Sequence, residues 1–304
     1  MISRREFTQG LAAGALLAAA TGAAAAKRPA PMLTRPIPAA KNESLPVIGM
    51  GTWNTFDVGA AATDRAPLEE VLKAFFLANG RVIDTSPMYG KAEGVTGELL
   101  KNMGAHQGTF LATKVWTSGR EKGLAQIEQS LRLLKTPRLD LLQIHNLVDW
   151  RTHLPTLRAL QEQDKVRYLG ITHYTVQAHA ELEAVLRQER FDFVQFNYSM
   201  GTRAAEERLL PFCQERGIAV LVNRPFEEGA LFTAIGSRKL PTYARDIGCT
   251  SWAQFFLKFI VSHPAVTAVI PATARVNHML DNLKAGTGPM PDAAMRERMA
   301  NELG

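Results

Sequence analysis

Eight short apolar runs, separated by longer segments of helical period, constrain this 304-residue chain more than any other feature. They span residues 45–52, 81–84, 109–114, 139–145, 166–172, 191–197, 217–223 and 266–271. Each is rich in strand formers and nearly continuous in apolar residues, as parallel strands covered on both faces are. Between them the spacing predicts amphipathic helices, among them 67–78, 122–134, 176–190 and 204–216. A repeated strand-helix order predicts a parallel sheet, and eight such units fit a closed (β/α)8 TIM barrel better than an open doubly wound sheet. The strand C-termini of such a barrel share one rim, so polar residues placed there read as functional. The longest connection, 224–259, follows the seventh run, and long loops on a rigid scaffold tend to shape binding sites.

With 46% hydrophobic and 21% charged residues, the chain has the composition of a soluble protein with one large core, placed here at 45–304. The net charge of +6 is scattered, with only short pairs such as Lys27-Arg28, which argues against a nucleic-acid surface. Cys213 and Cys249 show no metal-ligand spacing and read as isolated thiols, a disulfide being the alternative in an oxidising compartment. The first 26 residues are of another class. Ser3-Arg4-Arg5-Glu6-Phe7, a weakly apolar Ala/Gly/Leu stretch and Ala24-Ala25-Ala26 resemble a twin-arginine signal peptide. That implies the twin-arginine export machinery as a partner and a periplasmic destination. The stretch is shorter than the roughly 20 residues a bilayer span needs, so no permanent anchor is expected. Residues 27–44, with Pro29, Pro31, Pro36 and Pro38, read as a leader into the barrel.

Missing signatures narrow the chemistry. No G-x-G-x-x-G follows a strand, no G-x-x-x-x-G-K-[ST] occurs, and neither H-E-x-x-H nor a His pair on the first strand offers metal ligands. No metal site is therefore expected, and a metal-dependent barrel hydrolase lacks its ligands. A nicotinamide enzyme built on a barrel needs none of these motifs. The second, third and fourth runs end at Asp84, Lys114 and His145, and Tyr89 follows the second through a turn-forming loop, Thr85-Ser86-Pro87-Met88. Each alone has a structural explanation, as helix cap, exposed lysine, packed ring or core histidine. Together, on consecutive strands, they describe a site that donates a proton to a reacting carbonyl. A cationic Lys114 near Tyr89 is expected to bring the phenol closer to working pH, with Asp84 holding the lysine. Donors from Tyr89 and His145 would stabilise the alkoxide that forms at the carbonyl oxygen.

From about Thr34 to Leu283 the chain resembles the aldo-keto reductase superfamily. The resemblance is carried by Leu45-Pro-Val-Ile-Gly-Met-Gly-Thr-Trp53, Arg81-Val-Ile-Asp-Thr-Ser-Pro-Met-Tyr-Gly90, Ala112-Thr-Lys114, Asp140-Leu-Leu-Gln-Ile-His145, Val194-Gln-Phe-Asn197 and Ile270-Pro-Ala-Thr273. It implies Tyr89 as general acid, Lys114 and Asp84 as its tuning pair and His145 as the residue that orients the carbonyl. It also implies NADP as cofactor, NAD being kept open because Ala272 stands where many relatives carry lysine. Gly51 and Thr52 would meet the cofactor at the first strand end. Thr172 and His173 replace the usual Ser-Asn at the nicotinamide amide, and Gln195 matches the family's amide ligand. Asn223-Arg224-Pro225-Phe226 replaces a segment whose aromatic ring stacks on nicotinamide. Arg224 would offer its guanidinium face or reach the pyrophosphate, unless it forms a surface ion pair with Glu227 or Glu228. Thr273 and Arg275 open a helix expected to bind phosphate, with Arg275 on the 2′-phosphate and Asp281 and Asn282 on the adenine.

The expectation is thus an exported, monomeric, NADP-dependent reductase of an aldehyde or ketone, with Trp53, Trp116, Trp150 and the seventh connection around the substrate. The rival from another class is an exported nicotinamide-nucleotide-binding sensor or regulatory protein without physiological turnover.

Overall fold

The computed structural model describes residues 31–303, so the signal peptide read over 1–26 lies outside the described residues. A short antiparallel hairpin, β1 (Thr34–Pro36) and β2 (Ser44–Pro46), comes first. Eight parallel strands follow: β3 (Met50–Gly51), β4 (Val82–Asp84), β5 (Phe110–Val115), β6 (Leu139–Ile144), β7 (Val166–Thr172), β8 (Phe193–Asn197), β9 (Ala219–Asn223) and β10 (Val266–Val269). They pair in chain order, and parallel bridges from Ile48 to Val269 and from Gly51 to Ala272 join the first strand to the last. The chain forms a (β/α)8 barrel.

Strand alternation sorts the apolar residues into two layers. Val82, Phe110, Ala112, Leu141, Phe193, Leu221 and Ala268 point inward and pack with Ile37 and Leu45 of the hairpin. Ile83, Leu111, Leu142, Val194 and Val220 point outward and pack on the helices. Complete burial of one such Leu or Phe contributes about 1.5–3 kcal/mol, so the alternation is strongly specified.

The first run, expected as one strand over 45–52, divides in two. Ser44–Pro46 belongs to the hairpin, and the barrel strand proper is only Met50–Gly51. Two glycines let it approach its neighbours where the barrel closes. A Cβ on Gly51 would lie 2.9 Å from the Ile270 carbonyl oxygen, and one on Gly49 would lie 3.0 Å from Val82 Cβ. Part of the segment read as a leader is also built into the fold. Residues 34–44 form most of the hairpin, Ile37 is fully buried, and Glu43 accepts hydrogen bonds from Arg167 and Tyr168. Prolines signalled a linker, but edge strands accept proline because their outer N–H groups need no partner.

Helix boundaries shift by small amounts. The helix expected from 67 runs Ala62–Leu77, since Pro67 in its second turn removes only the bond to the carbonyl of exposed Thr63. Those expected over 176–190 and 204–216 each start with a 3₁₀ turn and continue as His179–Gln188 and Leu209–Arg216. The seventh connection breaks into short helical pieces before the helix Trp252–Val261, whose Ser251 cap accepts from the Gln254 N–H. Cys213 and Cys249 are both buried free thiols. No helix among the described residues is long and apolar enough to cross a membrane.

Candidate active site

The inward positions that carry apolar side chains low in the barrel carry polar ones at its C-terminal end. Val82 gives way to Asp84, Ala112 to Lys114, Leu141 to Gln143 and then His145, and Phe193 to Gln195. β4, β5 and β6 are consecutive neighbours and β8 lies one strand further round, beyond β7, so their last inward residues converge across the barrel's end. Lys114 Nζ donates to Asp84 Oδ2 at 2.6 Å and to the Thr85 carbonyl at 2.8 Å. Asp84 Oδ1 also accepts from Gln143 Nε2 at 3.2 Å and Gln195 Nε2 at 3.0 Å. Gly170 lies opposite Gln143 on β7, and a Cβ there would come within 3.0 Å of Gln143 Cγ, so its bare backbone leaves Gln143 room.

Lys114 is fully buried, which works against its charge, yet Asp84 and Tyr89 outweigh that and hold its pKa above the ordinary value. Tyr89 stands on a tight turn whose N–H bonds the Ser86 carbonyl at 3.0 Å, and Lys114 Nζ lies 5.0 Å from its ring centre. The expected lowering of its pKa is not what the protein alone produces. Burial pushes the phenol up, Lys114 pulls it down, Asp84 pushes it up again, and the outcome lies above the ordinary value of 10.0. The lysine's pull is present and smaller than the burial it opposes. The phenol is therefore held in its protonated form, with an O–H available to donate.

His145 closes β6 with its ring 5.9 Å from Tyr89, edge to face at 84°. Burial first, then the charge of Lys114 and the nearby His173, push its pKa down to about 2. It is a neutral imidazole across the physiological range. Nδ1 lies 3.1 Å from the Ser86 hydroxyl.

Asp84, Tyr89 and His145 line a cavity of about 1030 Å³ at this end of the barrel. Trp53, Met88 and Trp116 give it an apolar rim, each 40–42% exposed. Trp150, expected beside them, is instead buried at the start of the helix Trp150–Glu162 and absent from the wall. An Asp149 in left-handed conformation turns the chain into that helix and takes the indole toward the core.

Of the residues expected to hold a cofactor, Gly51, Thr52, Thr172, Gln195, Asn223, Arg224, Thr273, Asp281 and Asn282 all line this one cavity. His173 and Arg275 do not. The His173 ring stacks on Tyr174, with centroids 5.4 Å apart and planes 4° from parallel, and its Nδ1 takes the Thr175 N–H at 3.3 Å. Its contribution is main-chain: the carbonyl accepts from Asn223 Nδ2 at 3.1 Å, while Tyr174 takes the place in the wall. Arg275 caps the helix Val276–Lys284 with its side chain exposed, and from that helix His278, one turn on, faces the cavity. The expected phosphate site thus falls at this helix terminus, where the Arg275 side chain is exposed and His278 is turned inward. Arg224 pairs with Glu228 at 3.3 Å, the surface alternative, while still lining the cavity. It, Glu227 and Glu228 all have left-handed φ, between 50° and 57°, a strained backbone of the kind that collects at ligand sites.

Sequence reasoning missed Gln143, Asn146, Tyr174, Phe232 and Trp252. Gln143 had a usable signal, since it shares the inward phase of Leu141 and His145. The aromatic pair of the seventh connection, Phe232 and Trp252, had none beyond loop length. A nicotinamide fits this wall on one independent ground. Asn146 and Asn223 line the cavity, and the side-chain oxygen of each is sealed without a donor among the described residues, a need that a carboxamide NH₂ meets.

Residues 47–299 match the model of the Aldo/keto reductase family. Methylglyoxal reductase YeaE from Escherichia coli (strain K12) is 31% identical over 246 residues, covering 79% of this chain and 84% of that protein. The NADH-specific methylglyoxal reductase of the same organism is 26% identical over 233 residues, 65% of this chain and 69% of that protein. A crystal structure of an aldo-keto reductase from Klebsiella pneumoniae in complex with NADPH superposes with a TM-score of 0.71 at 25% identity, covering 86% of this chain and 92% of that one.

Proposed function

The chain belongs to the aldo/keto reductase family, and from that premise we propose that it reduces an aldehyde or ketone to the alcohol with NADP as its cofactor and Tyr89 as proton donor. One observation carries the reading: Tyr89, His145 and Asp84, with Lys114 buried behind and bonded to Asp84, meet at a single cavity that also gathers nine of the expected cofactor residues. The reduced nicotinamide, when bound, supplies hydride to the carbonyl carbon. Thr172, Gln195, Asn146 and Asn223 would hold its carboxamide end. Thr273, Asp281 and Asn282 would hold the far end, with the N–H groups of the helix Val276–Lys284 and exposed Arg275 toward phosphate.

As charge grows on the carbonyl oxygen, Tyr89 donates its proton there and neutral His145 offers a ring N–H to the same atom. Both contacts are stronger to an alkoxide than to a carbonyl, so they lower the barrier rather than merely bind substrate. Lys114, held by Asp84, stabilises the phenolate that Tyr89 leaves behind. The rim of Trp53, Met88 and Trp116 offers no cation, which favours uncharged carbonyl compounds with an apolar face. The relatives named methylglyoxal reductases make small reactive dicarbonyls the first compounds to try. The Arg4-Arg5 signal supports a further proposal, that the barrel is exported folded to the periplasm with its cofactor already bound.

The test is oxidation of NADPH and of NADH by the purified barrel with methylglyoxal, aliphatic aldehydes and aromatic aldehydes. The reading expects alcohol formed in step with oxidised cofactor. Tight cofactor binding with no turnover on any carbonyl would instead favour the sensor.

A further inference from the structure

We propose that Ser86 is a positioning residue that fixes the tautomer of His145, keeping its proton on Nε2, the nitrogen left to meet a substrate oxygen; this rests on the carbonyl-orienting role given to His145 above. Ser86 is fully buried two residues beyond Asp84, and its Oγ lies 3.1 Å from His145 Nδ1. That distance alone leaves the direction open, because either atom could donate.

A second contact decides it. The Met88 N–H donates to the same Ser86 Oγ at 3.3 Å. An N–H group cannot accept, so the only acceptor for the hydroxyl hydrogen among the described residues is Nδ1. If Nδ1 carried the proton instead, Ser86 Oγ would receive two donors while its own hydrogen stayed buried without a partner. It would also leave a bare Nε2 lone pair facing a substrate oxygen lone pair. With Ser86 as donor, both groups are satisfied, and His145 presents an N–H to the cavity it lines. Ser86 also ties the two donors to each other. Its carbonyl takes the Tyr89 N–H and its hydroxyl takes the Met88 N–H, so one residue sets the turn that carries Tyr89 and the ring state of His145.

The test uses ¹⁵N-labelled full-length barrel and long-range proton–nitrogen spectra of the His145 ring, read beside kinetics. In the parent, Nδ1 is expected to show the shift of an unprotonated nitrogen and Nε2 that of a protonated one. Ser86→Ala should move both signals toward a mixture of tautomers and lower kcat roughly ten- to a hundredfold, as loss of an orienting hydrogen-bond partner does elsewhere. NADPH affinity, measured by fluorescence titration, should hold, and Ser86→Thr, which keeps the hydroxyl, should restore the parent spectrum. A parent protein with the proton on Nδ1 overturns the assignment, as does a Ser86→Ala variant whose ring signals and kcat are unchanged. If Ser86→Ala does not fold, the parent spectrum decides alone. A parent that turns over no carbonyl defeats the functional reading, while the ring spectrum still judges Ser86.

Discussion

Replacing Lys114 with Met removes the ammonium and leaves the Asp84 side chain inside the barrel with Gln143 and Gln195 as its only side-chain donors among the described residues. The side chains of the pair are 0% and 3% exposed, so solvent cannot take over the lost contact. Breaking a buried ion pair by removing one partner typically costs about 3–5 kcal/mol, whereas removing both is often nearly neutral. Lys114→Met should therefore fall in that range in urea unfolding. Lys114→Met combined with Asp84→Asn should recover most of the loss, since no uncompensated charge remains and the new amide oxygen can still accept from the glutamines. Turnover should not recover with stability. Tyr89 loses the one neighbour that pulls its pKa down in both variants, leaving burial unopposed by any cation. The assay pair is the urea midpoint with its slope and NADPH-dependent reduction of the best carbonyl found. A single variant that loses less than about 1 kcal/mol, the range of an exposed pair, would refute this account of the floor. So would a double variant no more stable than the single.

Three further expectations follow from particular groups. The folded-state pKa of His145, about 2, lies below its ordinary 6.5, so the unfolded chain binds the extra proton and stability is full above about pH 6.5 and lost as pH falls toward 2. Between pH 7 and 5 this one group should cost about 2 kcal/mol, and urea midpoints of His145→Gln should lack that part of the acid slope. Arg275→Ala should weaken NADPH binding about tenfold and leave NADH nearly untouched, because a charge-assisted contact to the extra phosphate exists only for the former; calorimetric titration that weakened both equally would assign Arg275 elsewhere. Arg4→Lys with Arg5→Lys should hold an active, uncleaved precursor in the cytoplasm, while the parent is recovered from the periplasm beginning near Lys27, as fractionation and N-terminal sequencing can check.

Much of the site was legible because barrel strands have period two. Once Asp84, Lys114 and His145 are seen to end inward-facing series, their meeting follows from strand order alone. The same phase holds Gln143 and Gln195, and only Gln195 was picked out. What escaped depends on distance in the chain rather than pattern. The Ser86–His145 contact spans 59 residues, and nothing in either segment announces the other. His173 and Arg275 were assigned by motif position, which does not tell that the His173 ring stacks on Tyr174 or that Arg275 is exposed at the helix terminus outside the cavity wall. Gly51, read toward the cofactor, is required first by the seam between β3 and the end of β10, where a Cβ would meet the Ile270 carbonyl. The lysine's effect on Tyr89 had the right sign and too small a size, since the depth of burial opposing it is a property of the closed fold.

The central claim is that Tyr89 gives the proton to a carbonyl reduced at this cavity, and Tyr89→Phe tests it most directly. With NADPH deuterated at the transferred position, the parent should yield an alcohol carrying deuterium at the former carbonyl carbon. The variant should bind NADPH as the parent does and turn over slower by roughly two to four orders of magnitude, the range one positioned acid contributes. A variant with comparable turnover, or a parent alcohol without the label, would contradict the account.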